Sequence, residues 1–321
     1  MMDTASHLLF GATLAGLAYL DPAVAQHPEV ALIVMAGTLI GSHAPDFDAM
    51  IRLKGFVSYI RHHRGITHSL PALGIWPALI GLGLAWGTGL WQYVSTIYLW
   101  TFAAVFFHVF LDTLNAYGVQ SLRPLRKNWI HLDILAIFDP ILFTLHLGGL
   151  VLWWGFKWNP VPLFSSIYAA TLMYILTKGV YHSYLVRRVR QTIPEVGVCH
   201  VLPTLHWFHW LFVFEVEDKF YTGRVIGNYV IIEDQYPKTE QHPIIQATMN
   251  TDGVRAFLQF AQRIHVTYRE IQGGYEVRWS EMRFWYNKKL PFGVDVELDG
   301  QLNVVHYRIG WRKKAWEAPF V

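Results

Sequence analysis

The chain of 321 residues is 53% hydrophobic, 16% aromatic and only 15% charged, with a net charge of +3 and one cysteine; its mean hydropathy is +0.26. Soluble domains average about 25% charged residues, so this composition excludes a disordered, collagen-like or disulfide-framed protein and argues against an ordinary soluble enzyme. The small net charge gives no reason to expect a nucleic-acid partner, and Cys199 alone suits a reducing compartment.

Charge is unevenly spread along the chain. Residues 1–192 hold 12 Lys/Arg and 8 Asp/Glu, against 14 and 15 in residues 193–321. From Gly65 to Leu122, 58 residues, the single formal charge is Asp112. That is the signature of a membrane. The expected architecture is a membrane all-α helical bundle of about six segments over 1–190, a linker over 191–204, and a small soluble α+β domain over 205–321. The basic run Arg187, Arg188, Arg190, followed by Pro194 and Pro203, marks the boundary.

In chain order, the leading MMDTASH carries no Lys or Arg, so a secretory signal peptide is not expected. Leu8–Leu20 and Val30–Gly41 are apolar but short, and suit a buried hairpin. Leu70–Trp91, Val94–Leu114, Asp139–Phe156 and Leu163–Val186 approach the roughly 20 apolar residues that a bilayer core requires. Gly37, Gly41, Gly148 and Gly149 fit close helix packing. Loops rich in Lys/Arg (51–64, 121–131, 187–190) alternate without a break with loops that are poor in them (21–29, 92–93, 157–162). The positive-inside rule then puts the rich loops, both termini and the C-terminal domain in the cytosol of a multi-pass cell-membrane protein. Lys178, two turns inside the last span, is expected to snorkel to the cytosolic edge.

Eight polar residues sit at or in these spans: His7, Asp46, Asp48, His63, His68, His108, Asp112 and Asp139. The topology, built on Lys and Arg alone, brings all eight to the cytosolic face. His108 and Asp112 are four apart, on one helical face. A charge in a span is costly, so it pairs or binds something; an imidazole beside a carboxylate is a good first-row metal pair, or an interhelical hydrogen bond. In HHRGITHS, His63 and His68 flank a turn at Gly65, and Arg64 can grip a phosphate or carboxylate with two parallel hydrogen bonds. Thr67, Ser69 and Pro71 also read as a helix start, and His62 as a solvated neighbour. APDFD offers Asp46 and Asp48 either as helix caps or as a carboxylate pair aimed at one cation. Asp139-Pro140 reads first as a cap. His146 and His182 read as ordinary polar positions in the bundle.

In order, SHLLFG around His7, PDFD, HRGITHS, His108 to Asp112 and Asp139-Pro140 resemble the motifs of the YdjM-like inner-membrane proteins, described as metal-dependent hydrolases. The likeness covers residues 1–185, and HRGITHS is its most specific element. The tail resembles the YfhP-type bacillary branch. More distantly, the order His, Asp, His, His, His, Asp is similar to zinc-dependent phospholipase C proteins. The resemblance implies a divalent metal, zinc by the last likeness, held by His7, Asp46, Asp48, His63, His68, His108 and Asp112. With it comes hydrolysis of a phosphoester or lipid-related substrate. Asp46 is then the candidate general base and Arg64 the group that neutralises an anionic head group. The competing readings are a metal-sensing membrane protein whose tail meets a protein partner, and a cation transporter.

In the tail, Phe212, Phe214 and Val216 alternate with Val213, Glu215 and Glu217, and Phe220–Ile226 and Asn228–Ile232 continue as strands. Gly273-Gly274 and Asp299-Gly300 predict hairpin turns. Thr251-Asp252 predicts the cap of a helix over Gly253–Ile264. His206 and His209, beside Trp207 and Trp210, read as amphipathic surface or core.

Overall fold

Ten α-helices and eight strands make up residues 4–238 and 242–312, the residues that the computed structural model describes. The expected order, a helical membrane region and then an α+β domain, is the observed one. By contacts the chain divides into two units: residues 1–49 with 63–180, and residues 50–62 with 181–321.

In the first unit, α1 (Thr4–Leu17) is apolar on every side and correspondingly buried. Asp21 caps α2 (Pro22–Gln26) by accepting from the Ala23 amide, with Pro at the first helical position. A short 3-10 segment, Ala44–Lys54, follows α3 (Pro28–Gly41) at a bend of 43°. After residues 50–62, which hold α4 (Phe56–His62) and belong to the second unit, a 3-10 turn at Ile66–His68 leads into α5 (Leu70–Thr88), which ends at Gly89 in the left-handed region, φ +74°. The Ser69 hydroxyl turns back onto the Ile66 carbonyl rather than capping α5. Helix α6 (Val94–Leu114) packs against α3 and α5. Helix α7 (Pro140–Leu150) runs on as a π turn, Val151–Gly155, and α8 (Pro160–Thr192) closes the series.

Three helical stretches, Leu70–Thr88, Trp91–Leu114 and Pro160–Thr192, are long and apolar enough to cross a membrane; α3 with the bent 3-10 segment makes a fourth if counted as one span. Thr4–Leu20 and Pro140–Gly155 are shorter apolar stretches. A side chain at Gly41 would meet the Thr101 carbonyl at 3.0 Å, and one at Gly11 the Ser42 hydroxyl at 2.5 Å. These two glycines let α1, α3 and α6 approach closely. Gly148, in contrast, faces open space.

Lys178 does not snorkel. It is buried and donates to Asp139 at 2.7 Å, while the Tyr174 hydroxyl donates to the same carboxylate at 2.8 and 2.9 Å. Asp139 also caps α7 through the Ile141 and Leu142 amides. A carboxylate one helix away is a closer partner for the ammonium than the aqueous edge, and both charges stay in the bundle.

In the second unit, β1 (Val198–Pro203), β2 (His209–Glu215), β3 (Lys219–Ile226) and β4 (Tyr229–Pro237) form an antiparallel sheet in sequence order. Strand β1 thus forms within the stretch read as a linker. Leu185, Val189 and Ile193 from the end of α8 pack on Val201, Trp210, Phe212 and Phe214 of this sheet. After α9 (Pro243–Thr248) and α10 (Asp252–Phe260), the second antiparallel sheet runs β5 (Ile264–Ile271), β6 (Gly274–Glu281), β7 (Phe292–Asp299), β8 (Val304–Trp311). Gly273, at φ +86°, makes the β5–β6 turn, and Asp299 accepts from the Gln301 and Asn303 amides at the β7–β8 turn. Helix α10 stops at Phe260, short of the expected Ile264, because Ile264 begins β5. Val254 and Phe257 of α10 are fully buried, and Arg61 of α4 pairs with Asp252.

Candidate metal centre

Four separate stretches converge in the first unit. His7 comes from α1, Asp46 and Asp48 from the 3-10 segment after α3, His63, Arg64 and His68 from the turns before α5, and His108 and Asp112 from one face of α6. All eight side chains are buried, none more than 8% exposed. Asp139, the remaining sequence candidate, lies with Lys178 instead. His146 bonds Thr13 at 2.8 Å and Thr171 at 2.9 Å, and His62 is exposed.

Ligand atoms of Asp46, His68, His108 and Asp112 gather around one point, all within 4.8 Å of each other. The two Nε2 atoms of His68 and His108 stand 3.3 Å apart. His68 Nε2 lies 3.5 Å from both Asp46 Oδ1 and Asp112 Oδ2; His108 Nε2 lies 3.7 and 3.6 Å from the same two oxygens. Ligands about 2.0–2.2 Å from one ion in a tetrahedral array stand about 3.4 Å apart. Five of the six edges of such a tetrahedron are therefore present at the right length. These separations are long for hydrogen bonds.

The imidazole protons point away from this centre. His108 Nδ1 donates to the Ser42 carbonyl at 2.7 Å, which leaves the Nε2 lone pair facing inward. The Thr67 hydroxyl proton goes to Asp48 Oδ2 at 2.5 Å, so at 3.0 Å from His68 Nδ1 that hydroxyl accepts. His68 is thus held with its Nε2 lone pair inward too. Outer partners of this kind fix ligand tautomers in metal sites.

Both oxygens of Asp46, Oδ2 of Asp112 and both ring nitrogens of His7 are buried with no hydrogen-bond partner. The His7 ring stacks on His108 at 3.8 Å between centroids, and its Nε2 lies 3.7 Å from Asp112 Oδ1. Three buried carboxylates face a single guanidinium, which leaves two negative charges with the imidazoles neutral. Unpaired buried charge costs several kcal/mol per ion, on the order of a whole domain's stability. A divalent cation cancels it. Orphaned atoms, charge and edge lengths together fit a metal ion.

Asp48 is differently placed. Its Oδ1 accepts from His63 Nδ1 at 2.6 Å, and its Oδ2 from the Arg64 amide at 2.9 Å as well as from Thr67. Asp46, Asp48 and His63 nonetheless form a second metal-compatible group that shares Asp46 with the first. Burial pushes the His63 imidazole below its ordinary value, against the hydrogen bond and charge of Asp48. Arg64 adopts φ +59° and turns inward, its Nη2 2.7 Å from Asp112 Oδ1 and its Nη1 donating to Asn115 Oδ1 and the Gly118 carbonyl. The guanidinium thus faces a carboxylate of the protein. Asn115, which also donates to Asp112 at 3.2 Å, was missed in the sequence, although its place three residues after Asp112 on the same face was a usable signal. The Ser42 carbonyl had no such signal.

Residues 2–185 match the YdjM inner membrane protein family. The chain belongs to this family. Residues 243–317 match the YfhP C-terminal alpha/beta plait domain. YfhP of Bacillus subtilis (strain 168) is 33% identical over 316 residues, 97% of this chain and 95% of that protein. No solved structure matches. All four residues of the tetrahedral group, with His7, Asp48, His63 and Arg64, fall within the YdjM region.

Proposed function

We propose that this YdjM-family protein is an integral-membrane, metal-dependent hydrolase that cleaves a phosphoester at the cytosolic face. The observation that carries the reading is the set of five separations of 3.3–3.7 Å among Asp46, His68, His108 and Asp112. Those four residues are the ligands in this reading. A bound divalent ion, zinc being favoured by the two-nitrogen, two-oxygen donor set, supplies Lewis acidity and lowers the pKa of water. Asp46, whose carboxylate oxygens accept no hydrogen bond, would help to hold the ion and would take the proton from the attacking water. His7, next to His108 and Asp112, would be a further donor to the ion. Arg64 pairs with Asp112 and would keep it in orientation, a role besides the head-group role read from the sequence. Asp48 orients His63, the Arg64 backbone and, through Thr67, the tautomer of His68. The alternation of Lys/Arg-rich loops supports a multi-pass topology with both termini in the cytosol.

The test is metal analysis of the detergent-purified protein followed by a phosphoester screen. Close to stoichiometric divalent metal is expected, with hydrolysis that disappears with the metal in His108→Ala and Asp112→Ala. Protein that inserts and folds but holds no metal after repletion would refute the reading.

A further inference from the structure

We propose that the substrate is a membrane phospholipid that reaches Asp46 sideways from the bilayer, past Phe47 and Ile66. The proposal rests on the hydrolase reading and adds to it the substrate class and the route.

The ligands are sealed on every side, so something must move to admit a substrate. The two walls differ in kind. On the side of the loop after α6, the cover is polar and tied down. The Gln120 amide donates to the Arg64 carbonyl at 3.0 Å, Arg64 donates to the Gly118 carbonyl at 3.2 Å, and Val119 pairs with Ile130. Opening that wall breaks several hydrogen bonds, each backed by a buried charge or carbonyl.

The other wall is apolar. Phe47 lies between Asp46 and Asp48 and is 44% exposed; Ile66 lies two residues from both Arg64 and His68 and is 70% exposed. Phe47 stands edge-on to Trp76 at 5.8 Å, and Trp76 is pinned by its Nε1 to the Thr67 carbonyl. Phe47 and Ile66 can swing without breaking a hydrogen bond. Trp76 belongs to α5, and on that helix Ile75, Leu79 and Leu82 are exposed along one face. On a helix that crosses a membrane, such a row faces hydrocarbon. Phe47, beside Asp46 and Asp48, thus meets the helix that carries the bilayer-facing row through Trp76, and the occupant this favours is lipid. A phospholipid lying along α5 puts its acyl chains on this row and its phosphoester at the polar end, beside Asp46. In the reaction, the water oxygen forms a new P–O bond and the P–O bond to the alcohol breaks. The alcohol oxygen leaves with the electron pair and takes the proton held at Asp46.

The experiment uses the full chain in phosphatidylglycerol–phosphatidylcholine vesicles, loaded with Mn²⁺ and freed of unbound ion, with Ile66→Glu as the variant and Ile66→Phe as its conservative counterpart. Two readouts are taken. One is the ratio of turnover on a long-chain phospholipid to turnover on water-soluble bis(p-nitrophenyl) phosphate. The other is relaxation of the lipid phosphorus nuclei by bound Mn²⁺, which needs no catalysis. Ile66→Glu should lower the ratio at least tenfold and abolish most of the relaxation with the Mn²⁺ content unchanged, and Ile66→Phe should do neither. Equal effects on the two substrates, or relaxation that ignores the variant, would overturn the lipid route. Relaxation that depends on Ile66 without hydrolysis of any ester would leave the route standing and overturn the hydrolase reading. Hydrolysis of the soluble ester alone, with no relaxation, would do the reverse.

Discussion

Asp48→Asn separates a residue that binds the ion from one that orients those that do. The Asp48 carboxylate accepts three hydrogen bonds, from His63 Nδ1, the Arg64 amide and the Thr67 hydroxyl. Asparagine keeps one oxygen, which goes to the two donors now on Oδ2, and sets its NH₂ against the His63 Nδ1 proton. One charge-assisted bond, about 1.5–3 kcal/mol, is lost, and the other two become neutral bonds of about half the strength. The four atoms of the tetrahedral group are untouched. Loss of an outer-shell partner typically costs 10–100-fold in metal affinity, about 1.4–2.7 kcal/mol. Asp48→Asn should therefore still bind metal at the tetrahedral group, with its Kd raised by about that factor. Asp48→Ala also frees the Thr67 proton and loosens the His68 tautomer, and should be worse. Asp46→Ala should bind no ion there. Competition of the detergent-purified variants with a chromophoric chelator gives stoichiometry and Kd together. If Asp48→Asn empties the tetrahedral site as completely as Asp46→Ala, Asp48 is a direct ligand; an unchanged Kd would refute the orienting role as well.

Asp112→Ala leaves Arg64 charged and buried without its carboxylate, about 3–5 kcal/mol. His108→Ala keeps that pair, so in chelator the Asp112 variant should melt well below the His108 variant by thermal unfolding. Lys178→Met strands the buried Asp139 and should cost a similar 3–5 kcal/mol, most of which Asp139→Asn in the same chain recovers; the double variant melting no higher than the single one would contradict this. His146→Leu removes bonds to Thr13 and Thr171 and should cost about 0.6–1.7 kcal/mol per bond, with metal content unchanged by elemental analysis. Burial pushes His265, set between Phe220 and Tyr236, below its ordinary value. The unfolded imidazole titrates near about 6.5, so the unfolded state takes up more protons below that pH. Stability is then full above about pH 6.5 and declines as pH falls toward the folded value. His265→Gln should flatten the decline in melting temperature between pH 7 and pH 5.

The sequence made the bundle legible where apolar runs were long: α5, α6 and α8 coincide with three of the four spans read from it. The 3-10 segment Ala44–Lys54 was not legible, because it shows neither a helical nor a strand period, and β1 was hidden by the prolines on either side of it. His108 and Asp112 could be read as one face from their spacing alone. HRGITHS signalled the right region, but not the division of labour within it. Whether a residue there binds or orients depends on where one proton goes, as at Thr67, and composition does not record that. Nor does composition record the backbone of Arg64, which at φ +59° turns its side chain inward to Asp112. Asp46 and Asp48 are alike in sequence and differ only in how many donors surround them.

The four residues of the tetrahedral group are drawn from positions 46, 68, 108 and 112, and this fixes the order of events during synthesis. A nascent chain that ends before α6 carries one carboxylate and one imidazole of the four, so the tetrahedral group is incomplete until α6 has been made. Its net-negative cluster also lacks the Arg64–Asp112 contact that draws the HRGITHS turn inward. In the proposed reading, an ion would enter the tetrahedral group only after α6 has docked on α3 at Gly41. Metal at this group would then report that α6 has found its partner helix.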